Sequence, residues 1–196
     1  MNANTLILAS ASPRRKELLE GLGLEFQVIP TGVEESQGEH LTATETAQLN
    51  AYRKARVTAK KHPDAVVLGV DTVVALGSRM FGKPATLADA EEMIFSLQGT
   101  THRVVSGVCL IHLRTHRQKM FFDETVVTFH PLTRGQIRSY ISEVNPLDKA
   151  GAYGIQEKGD ELVQIISGSF TNVVGMPMER LVPELAEFDI HAPAHS

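Results

Sequence analysis

Asp71 stands inside the most hydrophobic run of the chain, AVVLGVDTVVA over residues 65–75. A carboxylate in such a run must be paired, liganded or set where a strand opens into a cleft. Chance placement at a frayed strand end is the plain alternative, and Val73 and Val74 continuing beyond it weigh against that. Glu35, Lys54, Lys83, Arg14 and Arg15 are far apart in sequence, but all fall in or beside loops and helix starts. Two carboxylates can share a hard divalent cation, while Arg and Lys hold the phosphates of the same substrate. That combination suits hydrolysis of a phosphoanhydride. A structural ion-pair network would use the same residue types, and composition alone does not separate the two.

The stretch NTLILASASPRRKELLEGLG, residues 4–23, predicts how part of this set is positioned. It reads as a short strand (Thr5–Ala9), a turn of small residues (Ser10, Ala11, Ser12), Pro13 at the first helical position, and a helix with Leu18, Leu19 and Leu22 on its apolar side. Small side chains let an anion approach the open N–H groups of the helix start. Arg14 and Arg15 add two guanidinium forks at the end where cations are normally disfavoured, so the pair is either solvated or kept to hold something strongly anionic.

The remaining elements follow from periodicity and turn residues. Strands are expected at Glu25–Pro30, Ala65–Ala75, Thr101–Leu113, Phe121–Phe129 and Leu162–Ile166. Helices are expected at Thr42–Lys61 (capped by Thr42 or Thr44, apolar through Leu49, Tyr52, Ala55 and Ala59), Thr86–Leu97 (core positions Leu87, Ala90, Ile94 and Leu97), Leu132–Val144 and Met178–Leu185. Residues 31–39, 77–84, 114–119 and 145–154 read as loops, and Asp189–Ser196 as a frayed tail. Residues 1–188 make one domain.

A net charge of −4 supplies no global basic field for nucleic acid or anionic membrane, so phosphate recognition must be local. The single Cys109, set among Val108, Leu110 and Ile111, excludes an internal disulfide and reads as a buried structural thiol. His102, His112 and His116 lack a short metal-binding spacing, and no zinc site is assigned. No apolar run approaches a membrane span, and no secretory signal is visible. A cytoplasmic protein without membrane or nucleic-acid partners is expected.

SASPRRKELLEGLGL, GVDTVV, the Gly82-Lys83-Pro84 step, DKAGAYGIQ from Asp148 to Gln156, and NVVGMP from Asn172 to Pro177 together resemble the Maf family of nucleoside triphosphate pyrophosphatases. The resemblance runs from about Leu6 to about Leu185. It implies an elongated α/β fold, with a mixed sheet flanked by helices and two lobes around a central cleft, related to the inosine triphosphate pyrophosphatase fold. It also implies a homodimer and a divalent metal, Mg²⁺ first and Mn²⁺ or Co²⁺ as alternatives, held by Glu35 and Asp71. The implied reaction cleaves a nucleoside triphosphate between its α and β phosphates.

Carried over position by position, the resemblance makes Asp71 the proton acceptor, Glu35 the acidic residue after the second strand, Lys54 the lysine of the next helix and Lys83 the phosphate-side lysine. Ser10, Arg14 and Arg15 match the phosphate-binding and base-side loop. Arg14, Thr72 and Gln156 match the three positions that mark the branch acting on dTTP and UTP. The branch acting on 7-methyl-GTP is expected to carry Trp, Gln and Glu there. A broad nucleotide pyrophosphatase and a non-catalytic nucleotide-binding regulator of cell division are the other readings.

Overall fold

The computed structural model describes residues 5–36 and 40–193. Seven strands form one mixed sheet: β1 (Leu6–Leu8), β2 (Phe26–Val28), β3 (Val66–Leu76), β4 (Arg79–Phe81), β5 (Thr101–His112), β6 (Arg117–Phe129) and β7 (Val163–Ser167). Their order is β2-β1-β3-β5-β6-β7, with β4 on the β1 edge of β3. The first three pair in parallel, and the pairs from β3 through β7 are antiparallel. Helices α1 (Pro13–Glu20), α2 (Ala43–Lys61), α3 (Leu87–Leu97), α4 (Arg134–Glu143), α5 (Gly159–Leu162), α6 (Phe170–Val174) and α7 (Met178–Glu187) complete the fold. No helix among the described residues is long and apolar enough to cross a membrane.

Local chemistry fixes the helix starts. Thr42, Thr86 and Thr133 each cap a helix in a reciprocal capping box, with Glu45, Asp89 and Gln136 as the returning side chains. Pro13 opens α1 as expected, and Ser12 before it makes no side-chain cap bond. The sheet is interrupted where β3 matters most. β1 pairs with β3 over Val66–Leu68 and β4 pairs with it over Val74–Leu76, so residues 69–73 carry no strand on that edge. Asp71 and Thr72 lie in this gap.

The hydrophobic core divides at the same level. Val66, Leu68 and Val70 of β3 pack with Val108 and Leu110 of β5 in one cluster that also holds Leu181 and Leu185. Val74 and Val104 belong to a second cluster, with Phe81, Ile94 and Tyr140.

Helix α2 crosses the other face of the sheet on an alanine stripe, with Ala47, Ala51, Ala55 and Ala59 all fully buried. Two glycines make this contact possible. A Cβ on Gly69 would meet the Ala51 carbonyl oxygen at 2.2 Å, and one on Gly107 the Ala47 carbonyl carbon at 2.3 Å. With the helix backbone that close, small alanines fill the contact; Ala55 and Ala59 are buried as expected, and Leu49, expected on the same apolar face, is corrected to exposed.

Other expectations shift for local reasons. Leu87 is exposed at the start of α3, while Ala90, Ile94 and Leu97 are buried as expected. Strand β6 begins at Arg117, because the connection closes in a tight turn with His116 at φ 55° and the ladder with β5 then runs from the Arg117–His112 pair. Residues 79–81, expected as loop, form β4; α5 and α6 are short helices that the sequence did not signal, and α5 takes in Leu162, expected to open the strand that begins at Val163. The expected tail is not frayed from its start, since its second residue, Ile190, is buried in the first core cluster; residues 194–196 lie outside the described residues.

Candidate functional site

All nine residues singled out from the sequence, Ser10, Arg14, Arg15, Glu35, Lys54, Asp71, Thr72, Lys83 and Gln156, line one cleft of about 250 Å³. They come from six separate segments, and the gap in the sheet at residues 69–73 forms its floor.

The acidic centre is built by α2 standing over β3. Lys54, on the α2 face, places its ammonium 2.6 Å from the Asp71 carboxylate and 2.8 Å from that of Glu35. Asn50, one turn earlier, donates to the other Asp71 oxygen at 3.0 Å. Lys83 reaches the same Glu35 oxygen, Oε1, at 3.4 Å. Burial would raise the Glu35 pKa, but Lys54 and then Lys83 outweigh it and hold the carboxyl at about 2. Glu35 is therefore charged at any physiological pH. The Lys54–Asp71 pair is nearly excluded from water, which strengthens each charge's hold on the other.

Thr72 points to the opposite face of the sheet. Its hydroxyl lies 2.9 Å from Ser106 Oγ and 3.2 Å from the Gly175 carbonyl, which ties β3 to β5 and to the end of α6. Arg15 runs beside it and is fully engaged as a brace. Its guanidinium donates to the Gly175 carbonyl at 2.9 Å, Ser10 Oγ at 3.1 Å, the Val70 carbonyl at 3.0 Å and Thr72 Oγ1 at 3.0 Å. Burial lowers the Arg15 pKa, opposed by attraction to Asp71 and Glu35. The Val70 carbonyl is free to accept because the sheet is open there. Arg15 thus couples the turn after β1 to the gap in β3.

Arg14 crosses the cleft mouth. It donates to the Asp148 carboxylate at 2.8 Å and to the Asp148 carbonyl at 3.2 Å, joining the start of α1 to the loop before the turn at Ala150–Ala152. Burial would raise the Asp148 pKa, but hydrogen bonds from Lys149 and Arg14 keep it below the usual range. Lys149 is buried and also reaches Glu157, next to Gln156. The Gln156 amide is exposed to the cleft and has no hydrogen-bonded partner among the described residues.

Asn50 and Asp148 were missed as site residues in the sequence reading. The available signals were small: Asn50 lies four residues before Lys54 on the same helix face, and Asp148 opens the DKAGAYGIQ motif. Tyr153 packs as expected, with its hydroxyl 2.9 Å from His102 Nε2 and its ring edge-on to Phe129. His102 is accordingly a hydrogen-bonded core residue. Cys109 is buried, and burial pushes its thiol up to about 12.

A family model described as Maf-like protein matches residues 5–188. The chain belongs to the Maf family. Among relatives of this Maf-like protein, a Bacillus cereus protein named dTTP/UTP pyrophosphatase is 45% identical over 189 residues, covering 96% of this chain and 92% of that one. A Bacillus anthracis protein of the same name is 45% identical over 185 residues, covering 94% and 96%. Among solved structures, a HAM1 protein from Coxiella burnetii superposes with a TM-score of 0.54 at 18% identity, covering 94% of this chain and 99% of that one. The Maf-like chain therefore shares the HAM1 fold, a mixed sheet flanked by helices, as the sequence resemblance implied.

Glu35 and Asp71 are the two carboxylates of the cleft that could hold a hard divalent cation, and both accept from the Lys54 ammonium, at 2.8 and 2.6 Å. No cluster of three or more Asp, Glu, His or Cys side chains gathers among the described residues. Two carboxylates with no soft ligand suit Mg²⁺, which keeps water and substrate phosphate in the rest of its shell.

Proposed function

We propose that this Maf-like protein hydrolyses dTTP and UTP between the α and β phosphates, releasing the nucleoside monophosphate and pyrophosphate, with Mg²⁺ held by Glu35 and Asp71. The observation that carries this reading is the convergence of Asp71, Glu35, Lys54 and Lys83 through ion pairs in a cleft that Arg14, Thr72 and Gln156 also line. The names of the curated relatives support the same substrates.

Each Asp71 oxygen accepts one hydrogen bond, from Lys54 or from Asn50, and keeps a further lone pair. Asp71 is thereby aimed to take a proton from a water attacking the α phosphorus. Lys83 is half exposed at the cleft wall and can follow the β and γ phosphates. Bound Mg²⁺ supplies positive charge against the charge that develops on the phosphoryl oxygens. The open N–H groups of α1, uncapped by Ser12, add fixed donors for phosphate. Gln156 presents both a donor and an acceptor, which matches the edge of a uracil or thymine ring. The homodimer belongs to the same proposal and rests on the family resemblance, and the cytoplasmic setting rests on the composition and the lone Cys109.

The test is product formation from dTTP, UTP, CTP, GTP, ATP and 7-methyl-GTP, with and without divalent metal, with monophosphate and pyrophosphate identified directly. Selective, metal-dependent conversion of dTTP and UTP is expected. Turnover led by 7-methyl-GTP would overturn the branch, and no turnover by folded protein would leave a nucleotide-binding regulator.

A further inference from the structure

We infer that Asn50 is the positioning residue that sets Glu35 against Asp71, and so fixes the distance between the two carboxylates of the proposed site. The inference rests on the reading of that site as a metal-assisted pyrophosphatase.

Asn50 is buried, and its amide is completely used. Oδ1 accepts the Ser36 N–H at 2.9 Å, and Nδ2 donates to the Ser36 carbonyl at 3.1 Å and to Asp71 Oδ2 at 3.0 Å. Ser36 directly follows Glu35. Residues 31–36 belong to no helix or strand, and the two bonds from Asn50 are the only hydrogen bonds to their backbone among the described residues. Without them, the segment that carries Glu35 would be held by side-chain contacts alone.

The geometry requires an amide. The Ser36 N–H needs an acceptor, while the Ser36 carbonyl and the Asp71 carboxylate both need donors, so one group must present an acceptor and two N–H bonds. A carboxylate of the same shape would keep the first bond and turn oxygen toward oxygen in the other two. Lys54, one turn further along α2, holds the Glu35 and Asp71 side chains from the same helix. Asn50 supplies the backbone half of this bracket and Lys54 the side-chain half. The close seat of α2 on Gly69 and Gly107 carries both residues to the sheet gap.

The test compares Asn50→Ala and Asn50→Asp with the parent protein, each shown to be folded by its unfolding transition. Three readouts are taken. Hydrogen exchange at the Ser36 amide should rise in Asn50→Ala, which removes its acceptor, to a degree that amides of β3 and β5 do not share, and should rise less in Asn50→Asp, which keeps that acceptor. kcat for dTTP should fall about 10- to 100-fold, with the Mg²⁺ concentration for half-activation raised by a similar factor. In a Glu35→Gln background, the added loss from Asn50→Ala should shrink several-fold, because the two changes act through one group. Unchanged exchange at Ser36 in Asn50→Ala, or losses that multiply fully in the double variant, would overturn the positioning role. Absence of turnover in the parent would instead overturn the pyrophosphatase reading, and the exchange measurement would still decide whether Asn50 anchors the loop.

Discussion

The Arg14 guanidinium sits 2.8 Å from the Asp148 carboxylate, across the mouth of the cleft and 134 residues away in sequence. The residue expected to meet the base is therefore held by a carboxylate that the same cleft supplies. Replacing Asp148 with Asn keeps the shape but removes the charge-assisted bond, which is worth about 1.5–3 kcal/mol. KM for dTTP and UTP should rise about tenfold, with kcat changed much less. Steady-state kinetics check this, and an unchanged KM would show that Arg14 does not depend on Asp148.

Asp71→Asn keeps its size and loses the proton acceptor. Turnover should fall about 10²- to 10⁴-fold while nucleotide binding stays measurable by calorimetry. Turnover close to the parent value would remove Asp71 from the chemistry.

Lys54→Met leaves the buried Asp71 charge without its ammonium. Breaking such a pair from one side costs about 3–5 kcal/mol, read as a shift in urea unfolding. The Lys54→Met/Asp71→Asn double variant should recover much of that loss, since no buried charge then remains. A double variant no more stable than Lys54→Met would mean that the charge is relieved by water.

Gln156→Glu should shift base preference more than stability. The acceptor-only carboxylate repels a uracil or thymine carbonyl, so the rate ratio of UTP to 7-methyl-GTP should drop while the unfolding midpoint stays within about 0.5 kcal/mol of the parent. A constant ratio would mean that the base edge is read elsewhere.

Burial lowers the His102 pKa from 6.5 to about 4. Between those values the unfolded chain binds a proton that the folded chain refuses, so stability rises with pH there and is complete above 6.5. The loss on acidification to pH 4 should reach at most about 3 kcal/mol. His102→Gln should flatten the stability slope in that window. Glu35, whose pKa falls from 4.5 to about 2, adds its own loss only below 4.5, so the two windows can be separated by urea titrations at closely spaced pH. A parent protein equally stable at pH 7 and pH 4.5 would contradict the His102 assignment.

The sequence by itself determined the long elements and the membership of the site. Asp71 in an apolar run, small residues before Pro13 and Arg14, and capping threonines are local statements, because burial cost, turn geometry and helix capping act within a few residues. Residue type and setting singled out Asp71, Glu35, Lys54, Lys83, Arg14 and Arg15, while the family resemblance added the roles of Ser10, Thr72 and Gln156; all nine line one cleft. Tertiary structure decided what those residues do to one another. Arg15 is engaged by Ser10, Val70, Thr72 and Gly175, Asp148 holds Arg14, and Asn50 ties Glu35's loop to Asp71. None of these pairings is written in spacing. They arise because Gly69 and Gly107 admit α2 onto the sheet, and because β1 stops at Leu8 and leaves the middle of β3 open. A gap and a close approach are properties of two segments at once, so they exist only when the chain has folded.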